Sequence, residues 1–189
     1  MRALRRDGGF TLTELIVSAM LFSLVSLVAG GILIGTLSAQ ESVSAVTTST
    51  TDGQLAASSI DQGIRNSTGF ELLPADGGAD QMLIAHVAGS GATLSWACRA
   101  WYFDSAGNGS IRTTSVASGT HISAPTTSQL STWVLLADGV VPLTGSTIFS
   151  EAGATLSVEF DSLATGNPPI EIAFATAPLG GVTGDTACF

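Results

Sequence analysis

The chain has 189 residues, six basic and fifteen acidic, for a formal charge of −9, and it contains no lysine. That length allows one membrane-spanning helix and one modest globular domain. A surface this acidic repels phosphate backbones, so direct nucleic-acid binding is not expected.

The chain opens on a short polar stretch, Met1 to Asp7, carrying Arg2, Arg5 and Arg6. Next comes Gly8-Gly9-Phe10-Thr11-Leu12-Thr13-Glu14-Leu15, then an apolar run to about Leu37. Within that run the only polar side chains are Ser18, Ser23, Ser26 and Thr36. About 20 apolar residues suffice to cross a bilayer as a helix. Arginines ahead of such a helix stay cytoplasmic, so the rest of the chain is expected to be extracytoplasmic. Glu14 stands alone as an acid in the apolar segment. A carboxylate inside a spanning helix costs about 2.5–3.5 kcal/mol and normally has a partner. Its place near a helix N-terminus, where the macrodipole favours an acid, is a simpler reading that coexists with the first.

These residues resemble the start of type IV pilins and pseudopilins, whose pattern is a basic leader ending in glycine, then Phe-Thr-Leu-x-Glu, then a long apolar helix. Here Gly9, Phe10, Thr11, Leu12, Thr13 and Glu14 fill that order. Thr13 replaces a commoner aliphatic residue. Many major pilins have a helix-loosening proline further along, whereas this chain has Gly30-Gly31 and Gly35, and glycine also loosens a helix, by about 1 kcal/mol each relative to alanine. The resemblance covers about forty residues. It implies cleavage after Gly9 by a prepilin peptidase, N-methylation of Phe10, handling by an inner-membrane assembly platform and packing with other pilin subunits into a surface filament. Cleavage would create a positive amine on Phe10, one helical turn before Glu14, and in staggered parallel helices one subunit's Glu14 meets the amine of another. The mature chain would keep three basic and fourteen acidic residues, or −11.

The helical pattern continues past Leu37. Ala39, Val43, Val46, Thr50, Gly53, Ala57, Ile60 and Ile64 recur at spacings of three and four, as one face of a helix does. The predicted layout is a leader over 1–9, a long helix over 10–66 with its transmembrane part at about 12–37, and an outer β-rich domain over 67–189. Thr47 to Thr51 and Gly53 weaken the helix, since β-branched residues and glycine are poor helix formers. After Asn66, short apolar segments alternate with turn residues, predicting strands over 81–87, 93–103, 110–115, 132–137, 140–144, 155–161 and 169–175. Asp104-Ser-Ala-Gly-Asn-Gly109 reads as a hairpin loop. Short connections predict a mainly antiparallel sheet. The fold class expected is α+β, pilin-like.

Cys98 and Cys188 both fall on the outer side, where an oxidising envelope allows a disulfide. It would close about ninety residues, a constraint of about 4.5 kcal/mol on the unfolded chain, and would tie down the C-terminus. Two free thiols are the alternative. A second, looser resemblance follows from the order of elements. Ala100-Trp-Tyr-Phe-Asp104, a glycine turn, Ser110-Ile-Arg112 and the segment from Trp133 to Leu143 look like W-type minor pilins and J-type pseudopilins, favouring a minor subunit.

No catalytic set emerges, and no cofactor or metal is implied. His86 and His121 sit in different segments without a metal-ligand partner and read as surface or turn residues. The serines lack a nucleophile elbow. Asp104 and Asn108 lack the further acids and closing Glu of a calcium loop. Gly-Ser-Gly at 89–91 has no following lysine. Asn66 and Asn108 begin glycosylation sequons. Trp96, Trp101, Tyr102 and Trp133 read as core aromatics. The function expected is a non-enzymatic filament subunit. The alternatives are a pseudopilin of a secretion or competence machine, or an exported adhesin or enzyme with an ordinary signal peptide, for which Leu37-Ser-Ala39 is a poor cleavage site.

Overall fold

A computed structural model describes residues 11–74, 78–89, 95–179 and 188. One α-helix, α1, runs Leu12–Arg65. The chain divides into two units, Met1–Val43 and Ser44–Phe189. Helix α1 spans the division, so its second part belongs with the β-rich unit.

Among the described residues of that unit, nine strands form two sheets. The first has the order β1 (Ser67–Pro74), β2 (Gln81–Ala88), β3 (Trp96–Asp104), β4 (Ser110–Ala117) and β5 (Val134–Asp138), every pair antiparallel. The second is built on β8 (Thr155–Ser162), which pairs β9 (Ile170–Thr176), β6 (Val140–Pro142) and β7 (Phe149–Ala152), again antiparallel. A short helix, α2 (Thr127–Leu130), carries a full capping box between Thr126 and Gln129. The fold is α+β, a long helix packed on antiparallel sheet. Two sheets replace the one predicted. The chain passes between them at Gly139, whose φ of +68° suits glycine, and Leu163 N donates to its carbonyl at 2.7 Å. The Asp104–Gly109 loop does join β3 to β4, and Asp104 Oδ1 accepts from Ala106 N at 3.0 Å.

Alternation along the first sheet fills two cores. Leu83 and Ala85 of β2, with Trp101 and Phe103 of β3, join Ala56, Ile60 and Ile64 of α1 and Leu156, Val158 and Phe160 of β8. On the opposite face Met82, Ile84, Ala100 and Tyr102 pack with Ile122 and Leu130. Gln81, 7% exposed, ties the sheets together. Its Nε2 donates to Phe149 O at 2.8 Å, and its Oε1 accepts from Ile148 N and Phe149 N at 2.8 and 2.9 Å. One side chain thus satisfies three buried backbone groups that would each cost about 1–3 kcal/mol if left bare.

Small residues let the second part of α1 approach the sheets. A Cβ at Gly63 would strike the Trp101 indole, and one at Gly53 would strike Ile172 Cδ1. Gly53, read from the sequence as a helix weakener, is therefore a packing position. Trp101 Nε1 donates to Ser59 Oγ at 3.0 Å, Ser49 Oγ to Leu163 O at 2.7 Å, and Ser162 Oγ back to Ser49 O at 2.9 Å.

Candidate functional site

The site assembles in the first turns of α1. Thr11 precedes the helix, and its Oγ1 accepts from Glu14 N at 3.3 Å while its carbonyl accepts from Glu14 N and Leu15 N at 3.0 and 3.2 Å. That arrangement satisfies donors that a helix start leaves orphaned. Glu14 occupies the first turn, where the positive end of the helix dipole favours a carboxylate. Its side chain is exposed and makes no hydrogen bond or ion pair among the described residues. Gly9 and Phe10, the predicted cleavage and methylation positions, lie outside the described residues.

The segment that follows treats its polar groups differently. Ser18 Oγ donates to Leu15 O at 3.0 Å, Ser23 Oγ to Ala19 O at 2.8 Å and Thr36 Oγ1 to Leu33 O at 2.8 Å. Hydroxyls turned back on their own helix present no unsatisfied group to an apolar solvent. Around them Leu12, Met20, Phe22 and Leu27 are each at least 70% exposed. The helix is long and apolar enough to cross a membrane. So broad an apolar surface needs lipid or other apolar helices against it. Glu14 is the only ionisable side chain from Thr11 to Gln40.

Cys98 and Cys188 are joined, with Cα atoms 5.4 Å apart and both residues fully buried in the second core. The bridge anchors position 188 to β3, at the face of the first sheet turned away from α1.

The histidine reading needs correction. His86 is not a surface or turn residue: it is 6% exposed in β2. Its Nδ1 lies 3.2 Å from Thr68 Oγ1, its Nε2 lies 2.9 Å from Ser118 Oγ, and its ring stacks on Trp96 with centroids 4.9 Å apart. The physical reason is that β2 is covered on both faces, which its unbroken run Met82-Leu-Ile-Ala already signalled. His121 is exposed in a loop. Among the described residues no group of three His, Cys, Asp or Glu could hold a metal ion. Trp101 faces α1, and Tyr102 meets Trp133 edge-on at 6.2 Å. Asp80 escaped the sequence reading altogether. It accepts from Ser105 Oγ at 2.6 Å, Ser105 N at 2.8 Å and the Tyr102 hydroxyl at 3.0 Å, pinning the β3–β4 loop. Partial burial pushes its carboxyl upward, but the bonds from Ser105 and Tyr102 outweigh this and hold its pKa below the ordinary carboxylate value.

Residues 4–37 match the family model of the prokaryotic N-terminal methylation motif. No curated protein and no solved structure matches the chain. The matched residues take in part of the polar stretch ahead of the helix, then Glu14 and the exposed apolar run. With the long helix on antiparallel sheet, this match makes the N-terminal part of this chain similar to type IV pilins and pseudopilins.

Proposed function

We propose that the chain is a structural subunit of a type IV pilus-like filament, a minor one, held in the membrane as a precursor and drawn into the filament through its N-terminal helix. The carrying observation is the Glu14 carboxylate, exposed and without a partner among the described residues, in the first turn of an apolar helix. Removal of Met1 to Gly9 by a prepilin peptidase would free the Phe10 amine. That amine, methylated and positive, is the natural counter-charge for Glu14 of another subunit, because an ion pair lowers the cost of both charges in an apolar bundle. The outer β-rich domain, closed by its disulfide, is what such a subunit presents outside the cell. Nothing in this role calls for catalysis.

Mass spectrometry of the protein recovered from cells tests the processing. The mature chain should begin at Phe10 with a methylated amine, and a bulky residue in place of Gly9 should leave the precursor uncut in the membrane. A mature form beginning at Gln40 would contradict the proposal and point to an ordinary signal peptide.

A further inference from the structure

A cavity of about 330 Å³ lies where the last turn of α1 meets the ends of β2, β3 and β4. Gln62 and Asn66 line it from the helix side, and Val87, Ala97, Arg99 and Ser115 from the sheet. Its size falls within the range of small-ligand pockets. Pairing sets the floor: Val87 lies opposite Ala97, and Arg99 opposite Ser115. Arg99 sits on the helix-facing side of the sheet with Trp101, and its guanidinium carbon is 5.9 Å from the centre of the Trp101 ring. That ring is fully buried and held by Ser59, so the guanidinium rests on a fixed surface.

The three arginines in the described residues differ in their partners. Arg65 pairs with Asp61 at 2.8 Å, and Arg112 donates to Trp133 O at 3.4 Å. Among the described residues Arg99 makes neither an ion pair nor a hydrogen bond, and none of those that line the cavity is an acid. A half-buried fork of five donors, flanked by two amides and a hydroxyl, thus has no protein acceptor among the described residues.

We infer that this cavity binds a single carboxylate group, held by the Arg99 fork with Asn66, Gln62 and Ser115 around it. Planar guanidinium matches planar carboxylate through two parallel hydrogen bonds. A monoanion is selected over a phosphate-like dianion for two reasons. Only one cation is present, and the C-terminal end of α1, which carries the negative end of the helix dipole, forms one wall. The carboxylate can be borne by a free small molecule or by an acidic side chain of another polypeptide.

The experiment uses the full chain in detergent at fixed ionic strength and follows the Trp101 indole N–H by NMR, with Trp96 and Trp133 as internal references. The probes are N-acetylglycine, its uncharged amide, inorganic phosphate, and a capped Ala-Asp-Ala peptide. A saturable shift of Trp101 is expected with the carboxylates and not with the amide or phosphate. Tighter binding of the peptide would assign the carboxylate to a polypeptide, and tighter binding of N-acetylglycine to a free ligand. Arg99→Gln should weaken binding about tenfold or more, as loss of a charge-assisted pair does. Gln62→Glu, an exposed change at the rim that does not disturb packing, should weaken it as well. No saturable shift, an equal response to phosphate, or unchanged affinity in both variants would overturn the inference.

Discussion

The two parts of α1 are the same secondary structure with opposite surroundings. From Thr11 to Gln40 every residue but Gly30 is exposed, and leucine, isoleucine and valine ring the helix. From Ser44 on, Gly53, Ala56, Ile60, Gly63 and Ile64 are buried against sheet, while Gln54, Leu55 and Ser58 stay outside. A helix that is apolar all round must be covered by lipid or by other chains, whereas one with a narrow apolar stripe is covered by its own domain. The contrast teaches that the second part of α1 is satisfied by folding and the first only by insertion or assembly. Perturbations of each should therefore be read in different assays.

Cutting the disulfide should separate the two regions most sharply. Cys98→Ser with Cys188→Ser should lower the stability of the β-rich unit by about 2–5 kcal/mol. A fall of that size in the urea midpoint, with the amount of membrane-inserted protein unchanged, would uphold the contrast. An unmoved midpoint would show that the second core holds residue 188 without the bridge.

Glycine-to-alanine exchanges probe the contrast with one chemical change. Gly63→Ala drives a methyl into the buried Trp101 ring and should cost about 1–3 kcal/mol in thermal unfolding. Gly53→Ala should cost less, because the obstacle is the flexible end of Ile172. Gly30→Ala meets nothing within 4 Å and should leave the unfolding of the β-rich unit where it was. An equal loss at Gly30 and Gly63 would contradict the division.

The smallest effect is expected at Asp80. Its folded pKa is lowered, so its contribution is present above the unfolded carboxyl value of about 3.9 and is lost as pH falls through the folded value. Because Asp80 is only partly buried, that contribution is under about 1 kcal/mol. Stability curves of wild type and Asp80→Asn should differ at neutral pH and converge in acid. Curves that stay parallel down to acid pH would count against the hydrogen-bonded carboxylate.

The sequence was legible where one periodicity ran unopposed. The helix was expected over 10–66 and is observed over Leu12–Arg65, because threes and fours recur along it. The β8 strand alternates cleanly through Leu156, Val158 and Phe160. Strand β1 was missed because it follows the helix after a single residue, opens on Ser67-Thr-Gly, which reads as turn, and its burial barely alternates. Strand β7 has four residues, three of them exposed, too few to carry a pattern. The split into two sheets was hidden because it turns on a single residue, Gly139, and on long-range pairing to β8. Gln81 and Asp80 were hidden for the same reason: their partners lie 68 and 25 residues away. At the N-terminus the reverse held, since the lone acid in an apolar run is a feature of sequence before it is one of structure.

The most direct measurement concerns Glu14. Its carboxylate has no partner within the described chain, and the proposed partner arises only after cleavage. Glu14→Val, expressed beside wild type, should insert in the membrane at least as well, since an intramembrane charge has been removed. Its β-rich unit and disulfide should be intact. Its ratio in sheared filaments relative to the membrane pool should fall far below that of wild type. Equal incorporation of the two forms would contradict the account and show that apolar helix packing alone sets the register.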